Sequence, residues 1–127
     1  MPGLAEAFKR EPVVLDLELH RLNGKVASAR VQIPDELVAL VLKLAIWQKR
    51  REQRDALDIW RCVEVAFAAG ASKGDLANVF PHVAKALRHA VKKRDGALVA
   101  GIANYRGLSR EAGDRLHTRL VALVERV

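Results

Sequence analysis

The sequence predicts an α+β fold, in which a β-hairpin comes first and a bundle of about five helices follows. Apolar and polar residues alternate with period two over residues 13–20, and the turn signal Asn23-Gly24 comes shortly after. From Pro34 onward, apolar residues recur at helical spacing. A chain of 127 residues fits one domain. We therefore expect a single domain over 1–127, with the hairpin at 13–33 and the helical part at 34–127.

The hairpin is predicted from the two faces of its strands. One face of the first strand is apolar, made of Leu15, Leu17 and Leu19, and period two is typical of a strand that buries one face. Asn23-Gly24 favours a two-residue turn because both residue types tolerate positive φ. Residues 25–33 form the return strand. Since a lone hairpin is only marginally stable in water, we expect it to pack on the helices or to join a larger sheet.

The helices are predicted from their apolar stripes and from the residues that begin and end them. Pro34 suits a first helical turn, and a second helix over about 53–69 should bury Leu57, Trp60, Val63 and Phe67. Ser72 has capping-box spacing to Asp75, and Ser109 is the expected cap of the last helix.

Composition limits the classes of function. The formal net charge is +7, which favours an anionic partner, RNA or a nucleotide first. The single cysteine, Cys62, lies in an apolar helical pattern, where a buried structural role is expected. It permits no disulfide within the chain, which fits a reducing cytoplasm. The longest apolar run, 37–42, is too short to span a membrane, and the histidines have no metal-binding spacing, so neither a membrane nor a bound metal is expected.

Basic residues form two clusters that are candidates for contact with nucleic acid. Such charge density commonly contacts phosphates without reading sequence, although solvated helix faces also have this composition. The first cluster surrounds the joint between two helices and the second ends a later helix: Lys49, Arg50, Arg51 and Arg54, then Arg88, Lys92, Lys93 and Arg94.

Three further charged residues are candidates for a catalytic site. Asp55 and Asp58 are three residues apart, hence neighbours on one helix face. If the helices on either side of the joint are antiparallel, Lys43 comes near one of these carboxylates. The pair is either a salt bridge between the helices or a site in which Lys43 binds a phosphate and a carboxylate orients it.

The segment that carries these residues resembles the latter half of nucleotidyltransferase-fold proteins of the AbiE-type toxin group. The resemblance covers roughly residues 15–70 and rests on Lys43-Leu44-Ala45 followed by Arg54-Asp55-Ala56-Leu57-Asp58. It implies that Lys43 and one of the two aspartates belong to an active site. It also implies a toxin–antitoxin role and a fold like the C-terminal half of a nucleotidyltransferase.

One part of that family's pattern is missing from this chain. The Gly-Ser motif with paired acidic residues, which holds Mg²⁺ and the nucleoside triphosphate, has no counterpart, since no Gly-Ser dipeptide occurs. The resemblance therefore implies these cofactors only if the motif is supplied elsewhere, by a missing catalytic half. The isolated chain is expected to be inactive and to bind nucleotide or RNA, with an antitoxin as a further expected partner. The alternative is a non-catalytic helical module that binds a partner protein or RNA.

A rival interpretation concerns the last helix. Arg110 and His117 are within the Arg-x(4–6)-His spacing of HEPN-type ribonucleases, which cleave RNA at a dimer interface. This spacing arises often by chance in an arginine-rich chain, and the predicted hairpin fits poorly with an all-helical bundle.

Overall fold

The computed structural model describes residues 4–7, 9–71 and 74–126. A short helix precedes a two-stranded antiparallel hairpin, and six helices follow within the described residues, so the predicted α+β class is confirmed. The elements in chain order are α1 (Leu4–Ala7), β1 (Val13–His20), β2 (Val26–Ile33), α2 (Glu36–Arg50), α3 (Gln53–Ala68), α4 (Asp75–Val79), α5 (Pro81–Lys92), α6 (Ala97–Arg106) and α7 (Arg110–Val124).

The hairpin has the predicted pairing but a longer turn. Val13 pairs with Ile33 at the open end, and His20 pairs with Val26 next to the turn. The amide of Gly24 donates to the carbonyl of Arg21 at 3.0 Å, and Gly24 has φ +79. Within residues 21–25, which connect the strands, only Gly24 has positive φ, so the connection is closed by a left-handed glycine and is not the predicted two-residue turn.

The hairpin faces do not have the predicted burial. Leu15, Leu17 and Leu19 remain 37%, 41% and 58% exposed, so the expectation that this face is buried is wrong for the chain by itself. The leucines stay exposed because no helix covers them. Among the described elements, the extensive contacts are between helices or between the two strands, and none of them joins the hairpin to a helix.

The helices build one apolar core. Helices α2, α3, α5, α6 and α7 all contribute residues with no exposed area, among them Leu40, Ile59, Leu87, Leu98 and Leu120. The predicted core face of α3 is partly wrong: Leu57 and Val63 are buried, but Trp60 is half-buried and Phe67 is 37% exposed. The small residues Ala56 and Ala66 occupy the buried face instead, since they allow close helix contact.

Side-chain caps fix the beginnings of two helices. Asp35 accepts the amide hydrogen of Val38 at 2.8 Å and begins α2, so Pro34 lies before the helix and not in its first turn. Ser109 accepts from Ala112 at 3.2 Å, which confirms it as the cap of α7. Ser72 lies outside the described residues. No described helix has the length and hydrophobicity needed to cross a membrane.

Candidate functional site

Lys43 and Asp58 meet across the joint between α2 and α3. The Lys43 ammonium donates to Oδ2 of Asp58 at 2.7 Å, and their side chains are 39% and 21% exposed. Arg61, one turn further along α3, lies 3.5 Å from the other oxygen of Asp58. The chain reverses at Arg51 and Glu52, so α2 and α3 lie side by side. Both side chains of the Lys43 and Asp58 ion pair remain partly exposed to solvent. Of the two aspartates predicted to approach Lys43, the structure therefore selects Asp58.

Asp55 has a different environment from Asp58. It is 7% exposed in the first turn of α3, where the helix dipole favours a negative charge. Its Oδ2 has no hydrogen-bond partner within the described residues, and Nε of Arg50 lies 3.5 Å away. At that distance Arg50 compensates the charge without a well-formed hydrogen bond. Asp55 thus pairs with the end of α2, whereas Asp58 pairs with the middle of the same helix.

Cys62 lies one turn beyond Asp58 on α3, and the charges of Lys43 and Asp58 both affect the pKa of its thiol. It is partly buried and packs against the core, in agreement with its predicted structural role. Burial raises the pKa of its thiol, Lys43 lowers it, and Asp58 raises it again. Since the burial effect is largest, the thiol is kept protonated and is a weak nucleophile at neutral pH.

The carboxylates of this region do not fit a Mg²⁺ site. Mg²⁺ binds carboxylate oxygens that are not already paired with a cationic side chain. Here Lys43 and Arg61 face Asp58, and Arg50 faces Asp55. The described residues contain no group of three or more His, Cys, Asp or Glu side chains that could hold a metal ion.

Two of the predicted nucleic-acid-binding arginines make structural contacts. Arg50 donates to both carboxylate oxygens of Glu52, and this hydrogen bond and the nearby acids raise the pKa of its guanidinium. Arg94 donates to Asp114 and to the carbonyl of Arg110, which ties the end of α5 to the start of α7. These contacts hold both guanidinium groups in place.

The other six predicted cations are exposed. The ion pairs found among the described residues involve none of them: Lys49, Arg51, Arg54, Arg88, Lys92 and Lys93. Arg51 and Lys93 come from the two different clusters, yet they line one pocket between the end of α2, α5 and the start of α6. The structure thus unites part of both clusters, while their role in binding nucleic acid stays a prediction.

Residues that the sequence did not mark as site residues complete this pocket. Trp47 lies beneath the guanidinium of Arg51, at 4.2 Å from the ring centroid, and His89 lines the pocket beside Lys93. Trp47 and His89 lie in the last turns of their helices, and each is followed four residues later by a cation just past the helix end, Arg51 and Lys93; this spacing is visible in the sequence. What the spacing could not show is that the two pairs line one pocket.

His117 of the rival ribonuclease interpretation and Asp16 on the polar face of the hairpin both have partners within the fold. A ring nitrogen of His117 lies 2.9 Å from the carbonyl oxygen of Val91, so the imidazole joins α7 to α5. On the hairpin, Asp16 bonds to its cross-strand neighbour Arg30 at 2.8 Å, with both side chains 74% exposed. Asp16 is therefore part of a solvated polar strand face.

Comparison of the chain with protein-family profiles, with curated proteins and with solved structures gave no match.

Proposed function

We propose that this chain is a nucleotidyltransferase-like module of toxin–antitoxin type that binds a nucleotide or RNA and is inactive in transfer by itself. The observation that carries the proposal is the contact between Lys43 and Asp58. A lysine that is 39% exposed and held at 2.7 Å by a carboxylate has a fixed position and can still reach a ligand. An ammonium in this arrangement binds phosphate as a point charge, and the carboxylate orients it.

The same geometry explains why transfer activity is not proposed for the isolated chain. Phosphoryl-type transfer depends on metal ions and on groups that hold the triphosphate, and the carboxylates near Lys43 face cations instead. Mg²⁺ and a nucleoside triphosphate would enter with a partner that supplies the Gly-Ser and paired-acid motif. That partner, an antitoxin and RNA are the proposed binding partners, in the cytoplasm.

Binding measurements with three proteins test the proposal. We expect the wild type to bind a mononucleotide and a fluorescently labelled single-stranded RNA, and we expect Lys43→Met to weaken nucleotide binding on the order of tenfold. Lys25→Met removes the same charge from the exposed hairpin and is the matched control. Equal nucleotide affinity of Lys43→Met and wild type would overturn the site, and no binding of either ligand by the wild type would overturn the function.

A transfer assay with radiolabelled nucleoside triphosphates and RNA addresses the second half of the proposal. The isolated chain should transfer no label. Transfer by the isolated chain would show that it carries a complete active site, contrary to the proposal.

The second candidate function is a non-catalytic module that binds a partner protein, and the exposed apolar face of the hairpin favours it. Leu17 and Leu19 are 41% and 58% exposed on one strand, where a polar surface would be expected in an isolated domain. Leu17→Ser should leave nucleotide and RNA affinity unchanged if this face serves a protein partner. A parallel loss of RNA affinity would assign the hairpin to nucleic-acid binding instead.

A further inference from the structure

The pocket between α2, α5 and α6 has a volume of about 270 Å³ and combines apolar walls with three basic side chains. Trp47, Ala86 and Ala90 supply apolar surface, while Arg51, His89 and Lys93 supply hydrogen-bond donors. A volume of this size is slightly below the range of small-molecule sites and is ample for a phosphate group. Neither residue of the Lys43 and Asp58 pair lines this pocket.

The charge of this pocket is not compensated by its own lining. No aspartate or glutamate lines it, and the ion pairs found among the described residues include none with Arg51, His89 or Lys93. Three basic side chains therefore line one concavity that has no carboxylate among its lining residues. An anion with several oxygens is the ligand that such an arrangement accepts best.

The larger groove between α3 and α7 provides a contrast. Its volume is about 550 Å³, and it is lined by Arg115, Arg119 and Arg126. However, Asp114 also lines it, and Arg119 is bound to Glu64 through two hydrogen bonds. The internal carboxylates reduce the attraction of this groove for an anion, so the smaller pocket is the better candidate.

Arg51 is held in place over the pocket. Its guanidinium carbon lies 4.2 Å from the centroid of the Trp47 ring, and Trp47 is only 4% exposed. An arginine that stacks on a buried ring keeps its donors in a fixed plane, which favours recognition of oxyanions. Arg51 also has φ 58, a left-handed conformation that usually belongs to glycine at the end of a helix. The chain thus carries an arginine where backbone geometry favours glycine.

The start of α6 adds to the positive potential of the pocket. Gly96 and Ala97 line it, and no side chain caps α6. The amide of Gly96 donates to the carbonyl of Lys93 at 3.0 Å, so this tight turn places the start of α6 beside Lys93. The partial positive charge of the helix terminus reinforces the three side chains.

We propose that this pocket binds a phosphate group, carried by a nucleotide or by the backbone of an RNA. Arg51 and Lys93 supply the positive charge, and His89 supplies a further hydrogen bond. The inference deepens the proposed function and rests on it for the molecule that carries the phosphate, whereas phosphate binding itself does not require Lys43.

The test is an NMR titration of the ¹⁵N-labelled full chain with inorganic phosphate, with a mononucleotide and with single-stranded RNA. We expect saturable shifts of the Arg51, Lys93, Gly96 and Ala97 amides with phosphate alone and with at least one nucleotide ligand. Lys93→Met should lower the phosphate affinity on the order of tenfold. Lys85→Met removes the same charge from an exposed position of α5 that does not line the pocket, and should change the phosphate affinity little.

Arg51→Gly separates binding from folding. Glycine suits the left-handed conformation, so this variant should be no less stable to thermal unfolding than the wild type and should still lose phosphate affinity. Equal weakening of phosphate binding by the Lys85 and Lys93 variants, or retained phosphate affinity in Arg51→Gly, would overturn the pocket. Shifts confined to residues near Lys43 would also overturn it and would leave the proposed function standing. Phosphate binding in the pocket with no binding of nucleotide or RNA would support the pocket and overturn the proposed function.

Discussion

Glu64 of α3 and Arg119 of α7 form an ion pair with two hydrogen bonds, although 55 residues separate them in the chain. The second of these bonds, from the terminal guanidinium nitrogen to Oε2, is 2.7 Å long. The indole nitrogen of Trp60 also donates to Glu64, at 3.1 Å. The Glu64 carboxylate therefore joins Trp60 of its own helix to Arg119 of α7.

The Glu64 contacts predict how stability depends on pH. The hydrogen bond from Arg119 lowers the pKa of Glu64 below its ordinary value of 4.5, and the bond from Trp60 adds to this, against an opposing effect of burial. Because the folded pKa lies below the unfolded one, the stabilisation is present above the ordinary pKa and is lost as the pH falls through the folded pKa.

Chemical denaturation as a function of pH measures this effect. Glu64→Gln should be less stable than the wild type at neutral pH, and the difference should shrink below about pH 4.5. Glu125→Gln, at an exposed position after α7, is the control and should follow the wild-type curve. A difference between Glu64→Gln and wild type that is constant down to acidic pH would contradict the role given to this ion pair.

The Cys62 thiol is a reporter of the charges on Lys43 and Asp58. Its pKa is raised above the ordinary value of 9.0 by burial, lowered by Lys43 and raised by Asp58. Cys62 should therefore react with iodoacetamide more slowly than a free thiol at mildly alkaline pH. Lys43→Met should slow the reaction further and Asp58→Asn should accelerate it, with the denatured chain as the reference. If both variants react at the same rate as the wild type, the charges of Lys43 and Asp58 do not act on the Cys62 thiol.

Truncation of Ile59 should reveal the dependence of the fold on its helical core. Ile59 has no exposed area in the middle of α3, so Ile59→Ala should lower the free energy of unfolding by about 3 kcal/mol. Val65→Ala lies on the same helix at a position that is 57% exposed, and it should cost much less. Urea denaturation followed by circular dichroism compares the two. Equal losses would mean that the buried face of α3 has been assigned wrongly.

The packing of Arg94 on Gly113 leads to a coupled pair of substitutions. A side chain at Gly113 would collide with the guanidinium of Arg94, which also bonds to Asp114 and to the carbonyl of Arg110. Gly113→Ala alone should therefore gain less than the ~1 kcal/mol expected for Gly→Ala within a helix. In an Arg94→Ala background the same substitution should give the full gain. A double-mutant cycle measured by urea denaturation decides the matter, and additive effects would contradict the contact.

Local patterns explain which parts of the molecule were predictable from sequence. The strand alternation, Gly24 and the cap at Ser109 are short-range signals, so the two strands, the place of their turn and the start of α7 were predicted correctly, although the turn length and the burial of the strand face were not. The burial of Phe67 was predicted wrongly because an apolar residue at the edge of the apolar face of a helix can be buried or exposed. Which of the two occurs depends on how the neighbouring helices pack against α3. The meeting of Lys43 with Asp58 was foreseeable once an antiparallel helix pair was assumed. The pocket of Arg51 and Lys93 was not foreseeable, since it depends on the packing of three helices.

The exposed hairpin implies that the molecule has two levels of stability. Strands β1 and β2 hold each other through one ladder that no helix reinforces extensively, whereas the helices share a buried core. Such a ladder opens locally at a much smaller free energy than the core. Amide hydrogens of the strands should therefore exchange with solvent through local opening, while those of α3 and α6 exchange only through global unfolding. A melting curve recorded on helical signal would then report on the bundle and leave the hairpin unobserved.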